Sequence, residues 1–378
     1  MNILLVPDKF KGSLTTRGVI DALKGGIKKF NPEYTIYDDI VSDGGEGFLE
    51  AINATNAVEQ VDVVSTDAVG RPMMSYYLVN RELETAYIEL ANTSGLVLLS
   101  PNERNVLKTS TYGTGIQIKH AISSGVKNVY IGLGGSATND GGIGIASALG
   151  YKFLDVNGEE LEPKGENLSK INEIDSGNCI SLKEIKMYAV NDVKNPLFGK
   201  NGAAYVYAKQ KGANDEEIKF LDTGLEHLAE KAKESLAKNN AHFPGAGAAG
   251  GVGYGLNVFL NAEFINGAEF ILEQSGVYNK LENGDIDLVI TGEGKIDDQT
   301  AQGKLIMGVT KLTTKFEIPT IAICGQKDFI EYNTKTLRLN DIIEVADTSK
   351  SLQYNMDNAA ELIENAIFEY LTSNFDNP

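Results

Sequence analysis

Tryptophan is absent from this 378-residue chain, and it holds only two cysteines, Cys179 and Cys324, and three histidines. No Cys-x-x-Cys pair occurs, which leaves little material for a structural zinc site or a disulfide framework. Cys324 ends the apolar run Ile321-Ala322-Ile323 and reads as a core residue of a protein kept in a reducing compartment. Long hydrophobic runs are missing too, and nothing approaches the length of a membrane span. The opening Met1-Asn2-Ile3-Leu4-Leu5-Val6-Pro7 lacks a basic segment, and its apolar run is too short for a signal peptide. A cytoplasmic location is therefore expected. Positive charge is in deficit: 34 Lys and Arg face 52 Asp and Glu, a net charge of -18. Such a surface repels nucleic acid and anionic membranes, so neither is an expected partner. A few local cations and N–H groups can still hold an anionic ligand against that field. Two motif sets are also lacking. Gly303-Lys304 has neither the upstream Gly nor the following Ser/Thr of a Walker A loop, and the protein-kinase signatures do not occur.

What is present is an ordinary globular composition, 42% hydrophobic and 23% charged, with 16 Tyr and 14 Phe to fill cores. The length predicts two or three domains. Short apolar runs alternate with helix-period segments. Ile3 to Val6, Val129 to Ile131, Asp287 to Ile290 and Thr320 to Ile323 read as buried strands. Val19, Ile20, Leu23, Ile27 and Phe30 mark one helix face, and Asn31-Pro32 ends it. Alternation of this kind predicts a parallel sheet covered on both faces. Residues 61–64, 75–79 and 85–90 look extended, with turn chemistry at Gly70-Arg71-Pro72. The expected fold is α/β: a parallel-sheet Rossmann/flavodoxin-like domain, residues 1–65 and 285–378, with a second mixed α/β domain, 66–284, inserted in it.

Four segments place Gly, acid or hydroxyl residues directly after a strand, where open α/β sheets bind ligands. The first is Asp8-Lys9-Phe10-Lys11-Gly12-Ser13. Ser13 could cap the following helix and the lysines hold an anion; a plain cap with solvated lysines fits as well. The second, Ser42-Asp43-Gly44-Gly45-Glu46-Gly47, has more glycine than a turn needs. Its carboxylates could bind Mg²⁺ or a substrate hydroxyl. The third runs from Gly132 through Gly134, Gly135, Ser136, Thr138, Asn139 and Asp140 to Gly142. Successive N–H groups there could form a nest for phosphate oxygens, with Asp140 reaching a phosphate-bound metal. The fourth, Thr291 to Thr300 with Gly303-Lys304 beyond, mixes acids, lysines and hydroxyls; Lys295 paired with its acids at the surface is the bland alternative. Asp192, after the apolar Met187 to Val190 stretch, is a strand-end acid or part of an Asx turn. Gly245 to Gly251 reads as close helix packing or a flexible loop.

A rival cofactor reading competes. Gly132-Leu133-Gly134-Gly135-Ser136-Ala137 satisfies the dinucleotide fingerprint, and Asp155 stands 21 residues after Gly134 as a ribose-binding acid would. In that motif, however, the helix starts near the second Gly, whereas Ser136 to Gly142 is polar and Gly-rich. An NAD(P)-dependent oxidoreductase is the lesser alternative.

Taken in order, these segments resemble the signature stretches of bacterial glycerate kinases. Ser94-Gly95-Leu96, Thr111-Tyr112-Gly113-Thr114-Gly115, Asp192-Val193-Lys194-Asn195-Pro196-Leu197, Gln299-Thr300 and the Pro244 to Gly251 stretch fit the same pattern. The resemblance implies a two-domain α/β enzyme that uses ATP and Mg²⁺ to phosphorylate D-glycerate, giving 2-phosphoglycerate; a related small hydroxy acid is the alternative acceptor. On this reading Gly134, Gly135, Ser136, Asn139 and Asp140 serve the nucleotide phosphates. Asp43 and Glu293 serve the metal. Asp192, with Asp43, serves catalysis, and Lys11, Ser13 and Arg71 serve the substrate carboxylate. Two positions depart from the family pattern: Lys9, where Ser is more frequent, and Asn191, where Cys or Ala is.

Overall fold

The computed structural model describes residues 1–42, 44–238, 240–297, 300, 305–328 and 334–375. Asp43, Gln299, Gly303 and Lys304, all singled out above, lie outside the described residues. The strands are β1 (Asn2–Pro7), β2 (Thr35–Asp38), β3 (Glu59–Thr66), β4 (Pro72–Asn80), β5 (Thr85–Glu89), β6 (Asn128–Gly132) and β7 (Lys152–Leu154). They continue with β8 (Glu173–Asp175), β9 (Lys186–Val190), β10 (Glu263–Ile265), β11 (Leu288–Asp297), β12 (Thr320–Asp328) and β13 (Asp341–Glu344). The chain divides into two compact units. One holds Met1–Asp43, Glu50–Thr55 and Gly267–Pro378; the other holds Gly44–Leu49 and Asn56–Asn266.

The first unit carries a five-stranded sheet in the order β13-β12-β11-β1-β2. Every pairing in it is parallel. Ile3, Leu4, Leu5 and Val6 are fully buried at its centre, as a continuous apolar run in a parallel sheet requires. The chain passes from β1 to β2 on one side and from β11 to β12 on the other, so the carboxyl ends of β1 and β11 mark the switch point of the sheet. The predicted apolar face Val19, Ile20, Leu23, Ile27 and Phe30 is the buried face of the helix Thr16–Phe30. Its cap is Thr15 and not Ser13: the Thr15 hydroxyl accepts from Gly18 N at 3.1 Å. The Ser13 hydroxyl instead donates to the Met356 carbonyl at 2.6 Å.

The second unit holds a six-stranded mixed sheet, β10-β9-β6-β5-β4-β3. β3, β4 and β5 form an antiparallel meander. β5, β6, β9 and β10 then run parallel. Alternate residues Ala86, Ile88, Val129, Ile131, Met187 and Ala189 enter a large core with Ile143, Ile145, Leu221, Leu225, Val252 and Leu256. The opposite face carries Tyr87, Tyr130 and Tyr188, in register and stacked at 5.5 and 4.5 Å.

One segment differs from expectation. The run after Ile290 is strand as far as Asp297, paired in parallel with β12 through Asp328. Its residues are polar because this extension lies past the last β1 partner, Pro7 against Gly292. Hydrophobic patterning cannot reveal such a strand.

Candidate anion-binding site

In the second unit, β5, β6 and β9 end in register at Glu89, Gly132 and Val190. The glycine loop leaves β6 there, with Leu133 N donating to the Val190 carbonyl at 3.2 Å. It is clamped from several sides. Leu96 N donates to the Gly135 carbonyl and Ala137 N to the Ser94 carbonyl, both at 2.8 Å. The Thr109 hydroxyl reaches the Ala137 carbonyl at 2.9 Å. Thr114 Oγ1 bonds Thr93 Oγ1 and Ser94 Oγ at 2.8 and 2.9 Å, all three side chains being buried. Two short motifs noted in the sequence, Ser94-Gly95-Leu96 and Thr111 to Gly115, thus form the scaffold under the loop.

Further glycine contacts fix its shape. A Cβ on Gly134 would stand 2.3 Å from the Gly45 Cα, so the Gly44 to Gly47 turn lies directly on the loop. The Glu89 carboxylate holds that turn by accepting from Gly47 N at 3.2 Å and Leu49 N at 3.1 Å. On the far side Ala249, Gly250 and Gly251 adopt left-handed backbone in succession. A Cβ on Gly250 would stand 2.1 Å from the Thr138 carbonyl, and the Gly250 carbonyl accepts from Gly141 N at 3.1 Å. The Gly245 to Gly251 stretch is therefore a packing element.

Asp140 has a different place from the expected one. It is completely buried. One carboxylate oxygen accepts from Thr111 N (2.7 Å), Thr111 Oγ1 (2.8 Å) and Gly144 N (3.3 Å), the other from Gly142 N (3.1 Å). Burial raises its pKa against the opposing pull of these donors. Four donors of the chain itself occupy the carboxylate, which makes Asp140 a knot in the loop and not a metal-reaching side chain.

Three successive N–H groups, those of Gly134, Gly135 and Ser136, make no hydrogen bond among the described residues. Gly134 and Gly135 are partly exposed, and Gly135 has φ +76°. Such a turn of unbonded N–H groups has the makings of an anion-binding nest. Beneath it lies a cation that the sequence did not flag. Lys211 is 3% exposed, and its Nζ donates to Ser136 Oγ at 2.8 Å and to the Thr138 carbonyl at 2.6 Å. Lys209-Gln210-Lys211 reads as an ordinary charged turn; only the small neighbours Ala208, Gly212 and Ala213 hint at close packing.

Asn139 is wholly buried, and among the described residues both its amide atoms lack a partner, as does Thr138 Oγ1. Asn139 is thus enclosed behind the nest and not displayed on it; a buried amide of this kind calls for an internal water or a ligand atom. Asp192 is half-buried, two residues past the end of β9. The Asx turn at this point belongs to Asn191, whose Oδ1 accepts from Val193 N at 3.1 Å. Arg71 stands at the β3–β4 turn, half exposed, held by Asp67 and Glu103 at 2.5 Å each.

In the first unit, the loop after β1 lies against the polar end of β11. Asp8 N donates to the Gly292 carbonyl at 2.8 Å, and a Cβ on Gly294 would stand 3.3 Å from Lys11 N. Lys11 is exposed there. Glu293 is half-buried and accepts from the Thr300 hydroxyl at 2.6 Å. Lys295 pairs with Asp328 at 2.9 Å, the surface arrangement weighed from the sequence.

The dinucleotide reading does not survive this geometry. The helix after the glycine loop begins only at Ile143. Asp155 is half-buried just before a turn and accepts from its own neighbours Asn157 N and Glu159 N at 2.8 and 2.9 Å.

Fold and site together define an open-sheet α/β protein with a candidate anion nest at the end of a parallel strand and no Walker loop in its sequence. A sequence profile of the Glycerate kinase family matches residues 3–372. The glycerate kinase of Bacillus cereus is 39% identical over 326 residues, 86% of this chain and 85% of the relative. The glycerate 2-kinase of Escherichia coli K12 is 40% identical over 326 residues, with the same coverage of 86% and 85%. A crystal structure of a Salmonella typhimurium LT2 protein, provisionally named glycerate kinase 2, superposes with a TM-score of 0.76 at 34% identity, covering 99% of this chain and 98% of that one. The chain belongs to the glycerate kinase family.

Proposed function

We propose that this protein transfers the γ-phosphoryl group of ATP to D-glycerate, giving ADP and 2-phosphoglycerate. The observation that carries the reading is the nest of Gly134, Gly135 and Ser136 with the buried Lys211 ammonium behind it. The relative named glycerate 2-kinase supports the 2-hydroxyl as acceptor.

Phosphoryl transfer asks a protein mainly for positioning and charge neutralisation. The three N–H groups would hold phosphate oxygens while Lys211, bonded to Ser136, supplies positive charge where water is excluded. Asp192, two residues past the end of the strand next to the nest, would orient the acceptor hydroxyl and take its proton. Of the three candidates for the substrate carboxylate, Lys11 fits best. The single hydroxyl proton of Ser13 is engaged by Met356, and the Arg71 guanidinium by two acids.

Among the described residues no group of three or more His, Cys, Asp or Glu could hold a metal. Mg²⁺ keeps several waters and needs only one or two carboxylates, and the oxygen donor of Glu293 suits it, with Asp43 the second candidate. Bound to the phosphates, Mg²⁺ would neutralise charge that grows in the transition state.

The test is direct. Protein incubated with ATP, Mg²⁺ and D-glycerate should yield 2-phosphoglycerate by ³¹P NMR. A 3-phosphate product would overturn the regiochemistry, and turnover only with another hydroxy acid would overturn the substrate. Asp192→Asn should lower kcat at least a hundredfold while ATP still binds; near-normal turnover would remove Asp192 from catalysis.

A further inference from the structure

We infer that Arg104 is an oxyanion-binding residue of the glycine-loop site. Arg104 follows the turn Pro101–Glu103 and is half-buried. Among the described residues its side chain makes no ion pair or hydrogen bond, and its Nε is shut off from solvent without an acceptor. Arg17, Arg71 and Arg81, by contrast, each face a carboxylate. A guanidinium is a planar fork matched to carboxylate and phosphate. Leaving one of its donors buried and unbonded is unfavourable, so the position suits a residue completed by a ligand.

Its placement points to the same site. Gly212 has φ +99°, and a Cβ there would stand 2.4 Å from the Arg104 carbonyl. Only glycine allows that approach, and it pins Arg104 beside the residue that follows Lys211. The same segment runs along the glycine loop. The Thr109 hydroxyl bonds the Ala137 carbonyl, and a Cβ on Gly165 would stand 3.0 Å from the Asn139 carbonyl and 3.2 Å from that of Val106. Two cationic residues, Arg104 and Lys211, therefore stand on adjoining backbone beside one nest.

The ligand chemistry is an oxyanion, from either the nucleotide phosphates or the hydroxy-acid carboxylate. The inference rests on reading the loop as an anion site, but not on glycerate being the acceptor. Isothermal titration of wild type, Arg104→Gln and Arg104→Lys with ATP, inorganic phosphate and D-glycerate tests it. Arg104→Gln should weaken at least one ligand tenfold or more, with Tm close to wild type. Arg104→Lys, which keeps the charge but loses the fork, should weaken the same ligand at least threefold. Weakened ATP and phosphate with unchanged glycerate assigns Arg104 to phosphate; weakened glycerate alone assigns it to the carboxylate. In turnover the loss should appear in KM for that ligand, with kcat within about threefold. Unchanged affinity for all three ligands in folded Arg104→Gln overturns the inference. Should that variant not fold, unchanged affinity in Arg104→Lys does so. Failure of the kinase reading is separate: it appears as absent phosphoglycerate in wild type, whatever Arg104 binds.

Discussion

Lys211 decides most at the scale of single residues, because among the described residues its ammonium is the one partner of the Ser136 hydroxyl. Lys211→Met keeps the length and apolar stem but leaves Ser136 Oγ and the Thr138 carbonyl without their donor. Each buried orphan costs about 1–3 kcal/mol. Two such orphans should together cost roughly 2–6 kcal/mol by urea unfolding, with ATP affinity reduced at least tenfold. Ser136→Ala removes one acceptor of Lys211 and should cost about 1 kcal/mol. Equal ATP affinity in wild type and Lys211→Met would sink the role given to the nest. Residue roles were only partly legible in the sequence. Residue type marked Arg71, Ser13 and Asp140 as polar groups in suggestive places. What those groups do depends on partners far along the chain: Glu103 for Arg71, Met356 for Ser13, Thr111 for Asp140. No local pattern encodes such pairings.

Elements were more legible, since apolar periodicity is a direct image of burial. β1, β6, the centre of β9 and the helix Thr16–Phe30 stand where the patterning predicts. The polar extension of β11 escaped it. The carboxyl end of β2 shows how one element terminus can hold two acids of opposite behaviour. Burial raises the pKa of Asp38, but hydrogen bonds from Lys24 and Arg17 outweigh it and leave the carboxyl below its ordinary value. Burial dominates for Asp39, and Lys280 at 2.6 Å only partly offsets it, so that carboxyl lies above its ordinary value. An unfolded Asp titrates at about 3.9. The Asp38 contribution to stability is therefore present above that pH and lost as pH falls through the lower folded value. The Asp39 contribution is present below that pH and lost as pH rises through the higher folded value. Urea unfolding from about pH 3 to 7 should show the advantage of wild type over Asp38→Asn shrinking on acidification. Its advantage over Asp39→Asn should shrink on going from acid to neutral pH. Parallel trends for the two variants would contradict this assignment.

For the whole molecule, the acidic balance of 52 to 34 makes local cations the means of holding an anion. The candidate anion site of the second unit is packed from segments scattered along the chain: 44–47, 94–96, 109–115, 132–142, 208–213 and 245–255. Glycine-rich loops were visible as such in the sequence, but the turn carrying Lys211 was not, because its three-dimensional neighbours are 73 and 75 residues away. This scatter gives a test that single substitutions cannot. Ligand at 100 times its Kd stabilises the binding-competent state by about 2.7 kcal/mol, and amides whose opening breaks the site gain protection accordingly. Saturating ATP should therefore slow hydrogen exchange together at 94–96, 133–142 and 208–213. The exposed β3–β4 hairpin of the same unit, which bears Val64 and Met74 at its surface, should be unchanged. Protection confined to that hairpin, or absent from 208–213, would show that nucleotide binds elsewhere and that the buried lysine serves the fold alone.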